Sequence, residues 1–180
     1  GVDERRVTNT YQAVNIQAEV LARSDAEVAD ELAKFFGLEF GGYFLFCGAI
    51  EPKKNVSRLV DAYAASGSKL PLILAGSAGW HNRADLRKIR DERFINFQID
   101  CNTIRRERQV RRLEYLPRDQ LFSLVRGARA MLFPSIYEGF GLPVIEAMAL
   151  GTPVVTSNVS SLPEIAGDAA LLVDPYSIGD

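Results

Sequence analysis

The sequence has few of the residues that support metal or redox chemistry. Its 180 residues include two cysteines, Cys47 and Cys101, and one histidine, His81. Neither cysteine stands in a Cys-x-x-Cys or Cys/His cluster that could hold a metal or a redox pair, so a reducing compartment is the default. Cys47 lies inside the apolar run YFLFCG, which predicts a buried thiol that packs as a small hydrophobic residue.

Long apolar runs and a strong net charge are also absent. No run approaches the roughly 20 apolar residues that a membrane-spanning helix requires, and no signal-peptide pattern opens the chain. The net charge of −2 gives no global attraction to nucleic acid. We therefore expect a cytoplasmic protein.

One stretch is strongly basic. The sequence IRRERQVRR, residues 104–112, holds five arginines against one acid. Such a run suits the anionic head groups of lipids, so peripheral contact with the cytoplasmic membrane face is one alternative. A solvated face is the other and commoner alternative. Nucleic acid is not expected as a partner, because no aromatic residues interleave with the arginines to stack on bases.

Short apolar runs alternate with amphipathic stretches along the chain. With 47% hydrophobic residues, a chain of this length buries roughly 70% of its unfolded surface, enough for one core. A capping box from Ser24 to Glu27 predicts a helix that ends at Gly37, and Asn55 is expected to cap the next helix. Buried strands separated by helices predict an α/β fold with a parallel sheet of about six strands and helices on both faces. The predicted strands are YFLFCGA, LPLILAG, VRRLEYL, ARAMLFP, TPVVTS and AALLV.

Three glycine-bearing segments follow predicted strands. They are residues 48–54, 76–80 and 134–142. Because ligands gather at the carboxyl ends of parallel strands, we expect all three segments at one edge of the sheet.

The third segment carries an acid, Glu138, followed eight residues later by a second acid, Glu146, on a predicted helix. Gly139 and Gly141 let the backbone take positive φ, so that a ligand can approach its N–H groups. The start of the helix, with Pro143 in its first turn, forms an anion site that suits a diphosphate. A carboxylate one turn further in would repel a phosphate but accepts hydrogen bonds from a vicinal diol, so we assign the ribose to Glu146.

These residues resemble the retaining glycosyltransferases of family 4, whose signature is two acids separated by seven residues within an EGFGLP-type loop. The resemblance extends over GAIEPKKN, LAGSAGW, VRRLEYLPRDQLFS, PSIYEGFGLPVIEAMALGTPVVTS and SLPEIAGDAALLVDP. It implies the GT-B architecture of two Rossmann-like domains facing a cleft. The match covers the second, donor-binding domain. We therefore expect residues 1–180 to be a single nucleotide-sugar-binding domain, with 1–23 close to the interdomain linker and the N-terminal acceptor domain absent from this chain.

The resemblance also assigns the phosphate site. In GAIEPKKN the family usually has an arginine directly after the glycine, Gly48, and a lysine six residues after that glycine, both on the donor's phosphates. Ala49 stands at the arginine position and Lys54 at the lysine position. Lys54 is therefore the main candidate for the leaving diphosphate, and Lys53 is a candidate for the missing charge. A solvated lysine pair at a helix start is the alternative.

The remaining donor contacts are also implied by the resemblance. Glu138 would reach the hydroxyls of the transferred sugar, and the backbone of Gly139 and of Phe140, Gly141 and Leu142 would hold sugar and phosphate. The nucleotide base would lie between two pairs of residues: Gly76 and Ser77, and Tyr115 and Leu116. Glu164 is left out of the site, because Ser161 and Glu164 match a capping box. Trp80 is expected in the core, and His81 on the solvated surface.

The resemblance implies a transferase that moves a sugar from a nucleotide-diphosphate donor with retention at the anomeric carbon. Lys54 and Glu138 would be the catalytic residues. No metal or cofactor is expected, because the chain has no Asp-x-Asp triplet. The favoured donor is GDP-mannose and the favoured acceptor a glycan or lipid-linked glycan in polysaccharide biosynthesis, bound by the other domain. This chain alone is expected to be inactive. A sugar-nucleotide epimerase and a non-catalytic nucleotide-sugar-binding module remain alternatives.

Overall fold

The computed structural model describes residues 3–100 and 103–179. The strands are β1 (Phe44–Cys47), β2 (Leu72–Ala75), β3 (Ile95–Asp100), β4 (Thr103–Arg108), β5 (Val110–Leu113), β6 (Ala130–Phe133), β7 (Val154–Ser157) and β8 (Leu171–Val173). The helices are α1 (Ala18–Ala22), α2 (Asp25–Phe36), α3 (Val56–Ser66), α4 (Arg83–Ile89), α5 (Arg118–Arg126), α6 (Leu142–Ala149) and α7 (Leu162–Ala166). None of the helices in the described ranges is both long and apolar enough to cross a bilayer.

Six strands form one parallel sheet in the order β5-β2-β1-β6-β7-β8. This confirms the predicted parallel sheet of six strands flanked by helices. Numbered among themselves, the six strands run 3-2-1-4-5-6, the order of the doubly wound Rossmann fold. The order reverses between β1 and β6, so the loops after these two strands open a crevice at the carboxyl edge of the sheet.

The core lies around the central strands. Leu45 and Phe46 of β1 are fully buried, as is Phe133 of β6, and the Phe46 and Phe133 rings stack with centroids 6.1 Å apart. The Cys47 thiol is buried beside them, and this burial, with a smaller contribution from the Glu146 charge, raises the pKa of Cys47 to about 12. The prediction of a buried Cys47 is confirmed. Cys101 lies outside the described residues.

The β3 and β4 strands form a separate antiparallel hairpin that the sequence analysis did not predict. Among the described residues its strands pair only with each other, and the alternation of apolar and polar residues in the β3 sequence INFQID was missed. The basic run is therefore divided between two strands. Arg106 on β4 is exposed, whereas Arg111 on β5 donates a hydrogen bond to the Phe36 carbonyl at 2.6 Å. The Arg112 Nε donates to the Gly76 carbonyl at 3.4 Å. The prediction of a purely solvated basic face is therefore wrong at Arg111 and Arg112.

Local capping agrees with the sequence at one helix and not at the next. Ser24 and Glu27 form the predicted capping box at α2. Asn55 does not cap α3 with its side chain, because its backbone is left-handed, with φ of +60°. Its amide instead donates to the carbonyls of Pro134 and Pro175, at 3.1 and 2.7 Å, and so ties the start of α3 to two other loops.

The structure also corrects the prediction for Trp80. Trp80 was expected in the core, but it is 58% exposed, and its Nε1 donates to Glu51 at 2.8 Å. The indole lies in the loop after β2, beyond the end of the sheet, where the core no longer covers it. His81 beside it is exposed, as predicted.

Candidate functional site

The loop after β1 contacts the loops after both β2 and β6. A Cβ atom built on Gly76 would lie 2.0 Å from the Gly48 carbonyl oxygen, so only glycine fits where these two loops meet. Ile50 and Ala78 pair beyond the ends of β1 and β2. On the other side, the Ile136 N–H donates to the Lys53 carbonyl at 2.7 Å. The three glycine-bearing segments are thus at one edge, as predicted, with the β1 loop in the middle.

This arrangement brings Lys54 and Glu138 together. The Lys54 ammonium lies 2.5 Å from a carboxylate oxygen of Glu138, although the two residues are 84 positions apart. Only 12% of the Lys54 side chain and 10% of the Glu138 side chain remain exposed. The ammonium also lies 4.9 Å from the centre of the Phe133 ring. A nearly buried ion pair therefore stands at the point where the strand order reverses.

Two serines fix the backbone of the Glu138 loop. The Ser160 hydroxyl donates to the Glu138 carbonyl at 2.8 Å and accepts from the Glu138 N–H at 3.1 Å. The Ser161 hydroxyl donates to the carbonyls of Glu138 and Phe140, at 3.1 and 2.9 Å. These contacts hold the carbonyls of the loop, while α6 begins at Leu142 after Gly141, whose φ is +110°. The first N–H groups of a helix have no partner within the helix and can bind an anion.

Glu146 lies one turn into α6, in a different environment. Its carboxylate accepts a hydrogen bond from Arg118 at 3.3 Å, and 22% of its side chain is exposed. Burial raises the pKa of Glu146 above its ordinary value, and the Arg118 charge only partly opposes this effect. Glu146 also lines a small pocket of about 140 Å³ together with Gly48 and Cys47.

The second lysine is directed elsewhere. Lys53 is 45% exposed, and its ammonium lies 3.4 Å from Glu51, which also accepts the hydrogen bond from Trp80. The charge of Lys53 therefore has an acidic partner outside the Lys54–Glu138 pair. The idea that Lys53 supplies the positive charge missing at Ala49 stays a prediction.

An open cavity of about 710 Å³ adjoins the Glu138 loop. Its lining includes Glu138 and the predicted sugar and phosphate residues from Gly139 to Leu142. Pro143 lines both this cavity and the smaller pocket that contains Gly48 and Glu146. The structure therefore brings most of the predicted donor-binding residues to two adjoining spaces.

The residues predicted for the nucleotide base lie outside these two spaces. Gly76 is joined to the end of β5, because its N–H donates to the Leu113 carbonyl at 3.0 Å. Tyr115 follows this strand and is 85% exposed. Ser77 is exposed too, and Leu116 is partly buried. The assignment of the base to these residues stays a prediction.

Three residues at the site were not found from the sequence. Tyr11 and Glu164 line the large cavity, and Arg118 contacts Glu146. The predicted capping box that explained Glu164 is wrong, because Ser161 has a helical backbone (φ −79°, ψ −10°) instead of the extended one of an N-cap, and its side chain makes no cap. No sequence pattern marks Tyr11 or Arg118. Within the described ranges, no group of three His, Cys, Asp or Glu side chains is placed to hold a metal ion.

Comparisons with known proteins match this chain to sugar-transferring enzymes. The family model described as "Glycosyl transferases group 1" matches residues 33–180. O-antigen chain mannosyltransferase B of Escherichia coli is 39% identical over 177 residues, which is 96% of this chain and 42% of that protein. O-antigen chain mannosyltransferase RfbU of Salmonella typhimurium is 26% identical over 174 residues, 97% of this chain and 42% of that protein. The chain thus spans about two fifths of these relatives.

Solved structures share the fold at low sequence identity. A glycosyltransferase from Rickettsia africae gives a TM-score of 0.76 at 16% identity, over 98% of this chain and 45% of that one. Alr3699/HepE from Anabaena, in complex with UDP and glucose, gives 0.71 at 20% identity, over 89% of this chain and 41% of that one.

Proposed function

Because the chain belongs to the glycosyl transferases group 1 family, we propose that it is the donor-binding domain of a retaining glycosyltransferase of family 4. The observation that carries this proposal is the Lys54–Glu138 pair at the strand-order reversal, beside the start of α6. Ligands of doubly wound sheets bind in this crevice. The site offers a cation, a helix start and two acids, which are the groups needed for a diphosphate and the hydroxyls on either side of it.

Each group has a role in this reaction. The bond between the anomeric carbon and the diphosphate oxygen breaks, and its electron pair stays on the diphosphate. The Lys54 ammonium and the first N–H groups of α6 stabilise that developing negative charge, which is electrostatic catalysis. Glu138 accepts hydrogen bonds from hydroxyls of the transferred sugar and holds Lys54 in place. Glu146 accepts the ribose hydroxyls. An acceptor hydroxyl attacks the anomeric carbon on the face that the diphosphate leaves, and its proton passes to the departing diphosphate oxygen.

We further propose that the donor is GDP-mannose. Two relatives are named O-antigen mannosyltransferases, which supports mannose and a surface polysaccharide as the destination. Because this chain spans about two fifths of those proteins, we assign the glycan or lipid-linked acceptor to a domain outside it. On this proposal the chain alone binds donor and transfers nothing. Peripheral membrane contact, with the exposed Arg106 as the residue to test, is kept as a prediction.

The test is a calorimetric titration of the purified chain with GDP, UDP and ADP and with their sugar conjugates, without added metal. We expect saturable binding of the guanine pair and no saturation by the other two bases. Preference for another base would overturn GDP-mannose while keeping the donor domain. No binding by any nucleotide to a chain with a cooperative unfolding transition would overturn the proposed function.

A non-catalytic nucleotide-sugar-binding module is the second candidate, and Ala49 is the observation that favours it. The variant Ala49→Arg restores the family's usual phosphate ligand. In the longer protein, tighter donor binding without transfer would identify a binding module. Transfer by the unmodified longer protein would exclude that candidate.

A further inference from the structure

The lining of the large cavity continues beyond the Glu138 loop. The segment Asn9–Gln12 provides part of this lining, and Glu164 and Ile165 of α7 provide another part. The Tyr11 hydroxyl donates to a Glu164 carboxylate oxygen at 2.8 Å. The ring of Tyr11 lies 6.4 Å from that of Phe140, tilted by 56°. The segment around Tyr11 and α7, which are more than 150 residues apart in the chain, thus meet at this cavity.

Tyr11 is fixed in an uncommon conformation. Its φ is +47°, a left-handed value that few residues other than glycine adopt. The Asn9 side chain accepts a hydrogen bond from the Tyr11 N–H at 3.1 Å and holds this turn. The hydrogen bond to Glu164 raises the pKa of Tyr11, so the phenol stays a neutral donor at physiological pH. The Tyr11 hydroxyl thus orients one carboxylate oxygen of Glu164, whose side chain is exposed on α7.

The side chains that line the large cavity determine which type of ligand fits it. Among the described residues, no lysine or arginine lines this cavity, whereas Glu138 and Glu164 both do. Two carboxylates repel a phosphate but accept hydrogen bonds from hydroxyl groups, and they form charge-assisted bonds that are stronger than neutral ones. The aromatic rings of Tyr11 and Phe140 offer apolar faces to the C–H groups of a sugar ring. A neutral, hydroxyl-rich ring fits this cavity better than any anion.

The neighbouring groups give the orientation of that ring. Glu138 joins the cavity to Lys54, the proposed diphosphate ligand, and Leu142 at the start of α6 lines the cavity as well. A hexose attached to a diphosphate at this helix start would extend into the cavity, toward Glu164. Resting on the function proposed above, we propose that Glu164, held by Tyr11, is a specificity-determining residue that binds hydroxyls on the far side of the transferred hexose.

The test separates the sugar from the nucleotide. The chain and its Glu164→Gln and Tyr11→Phe variants are titrated with GDP and with GDP-mannose. We expect GDP affinity to be unchanged in both variants. GDP-mannose affinity should fall about tenfold in Glu164→Gln, because the amide keeps an acceptor oxygen but loses the charge that strengthens its hydrogen bonds. GDP-mannose affinity should fall about threefold in Tyr11→Phe, because this variant keeps the Glu164 carboxylate but lacks the hydrogen bond that orients it. GDP-glucose, the C2 epimer, reports whether the preference between sugars changes as well.

Two matched controls exclude a general effect of charge or of a lost hydroxyl. Glu114→Gln removes an acid whose side chain is 82% exposed, and Tyr176→Phe removes a hydroxyl from a residue that is 58% exposed; neither residue lines the cavity. Both controls should bind GDP and GDP-mannose as the unmodified chain does, and thermal unfolding should be unchanged in all four variants.

The outcomes distinguish this inference from the proposed function. If GDP binds and GDP-mannose affinity is the same in Glu164→Gln as in the unmodified chain, the inference is overturned and the donor domain stands. A parallel fall in GDP and GDP-mannose affinity also overturns the inference, because the effect is then not on the sugar. If no nucleotide binds the folded, unmodified chain, the proposed function fails, and the inference fails with it.

Discussion

The loop after β6 and the helix that follows it place their acids in opposite situations. In the loop, Glu138 is nearly buried and already paired with Lys54 at 2.5 Å. In α6, Glu146 is more exposed, is paired at 3.3 Å with an Arg118 side chain that is 49% exposed, and has a raised pKa. The charge of Glu138 is therefore compensated before any ligand arrives, whereas that of Glu146 is only partly compensated.

From this difference we infer that the Glu138 loop and α6 have different functions within one site. A pair that is fixed in advance costs no reorganisation when charge develops during bond cleavage, and this is the condition for efficient electrostatic catalysis. An acid with a weak, partly solvated partner can exchange that partner for a ligand. The loop region is thus suited to the reaction, and the helix region to nucleotide binding.

The largest effect is expected from breaking the fixed pair. In Lys54→Met, Glu138 keeps its charge without a partner in a nearly buried position, so unfolding free energy should fall by about 3 kcal/mol. The double variant Lys54→Met/Glu138→Gln removes both charges and should recover most of that stability, while nucleoside diphosphate binding stays lost. Urea unfolding and calorimetry measure the two effects. Lys53→Met, at a 45% exposed side chain, is the matched control. If Lys54→Met is as stable as this control, the loop acid is not fixed by its lysine.

The rigidity of the loop region depends on the contact between Gly76 and Gly48. In Gly76→Ala, the new methyl group would lie 2.0 Å from the Gly48 carbonyl, and the β1 and β2 loops must separate. We expect a loss of about 2.5 kcal/mol in unfolding free energy, together with weaker nucleotide binding. Gly37→Ala also introduces a side chain at positive φ but meets no atom within 4 Å, so it should cost only about 1 kcal/mol. Equal losses in the two variants would mean that backbone strain, rather than the loop contact, determines the effect.

Glu146 tests the helix region through pH. If its carboxylate binds the ribose, Glu146→Ala should weaken nucleoside diphosphate binding by about 2 kcal/mol. Because burial raises the pKa of Glu146, its carboxylate is protonated at a higher pH than that of an ordinary glutamate, and affinity should fall as acidification passes through this raised pKa. In the free protein the sign is opposite: the protonated acid favours the folded state, so its contribution to stability is lost as the pH rises through the folded-state pKa. Glu146→Gln should remove both dependences. Unchanged affinity in Glu146→Ala would exclude the ribose assignment.

The sequence predicted what depends on local pattern. Buried strands such as LILA and AMLF are short apolar runs between glycine and proline residues, and they appear in the sheet where expected. The Ser24 capping box is complete within four residues. The Glu138 loop was found because its glycines and both acids are close together in the chain.

Long-range contacts were not predictable in the same way. The ion pair of Lys54 with Glu138 and the hydrogen bond of Tyr11 with Glu164 each join residues that are far apart in the chain. No rule of sequence spacing predicts either contact. Ser161 matched a capping pattern, but its backbone is helical, so its hydroxyl makes no cap and instead donates to carbonyls of another loop. The hairpin of β3 and β4 is an exception to this explanation, because β3 has the apolar–polar alternation INFQID, a local signal that was missed.

The smallest effect is expected from Arg118, and it sharpens the contrast between the two acids. Its ion pair with Glu146 is half exposed, so Arg118→Met should change unfolding free energy by less than about 0.5 kcal/mol. The Arg118 charge nevertheless lowers the pKa of Glu146, and its removal should raise that pKa further. The loss of nucleotide affinity on acidification should then begin at higher pH than in the unmodified chain, as calorimetry across a pH series would measure. Arg126→Met, which breaks an ion pair with Asp25 away from the site, should leave the profile unchanged. If the pH dependence of nucleotide affinity is the same in Arg118→Met as in the unmodified chain, protonation of Glu146 does not control nucleotide binding. The substitution would then have changed the charge beside Glu146 without changing affinity.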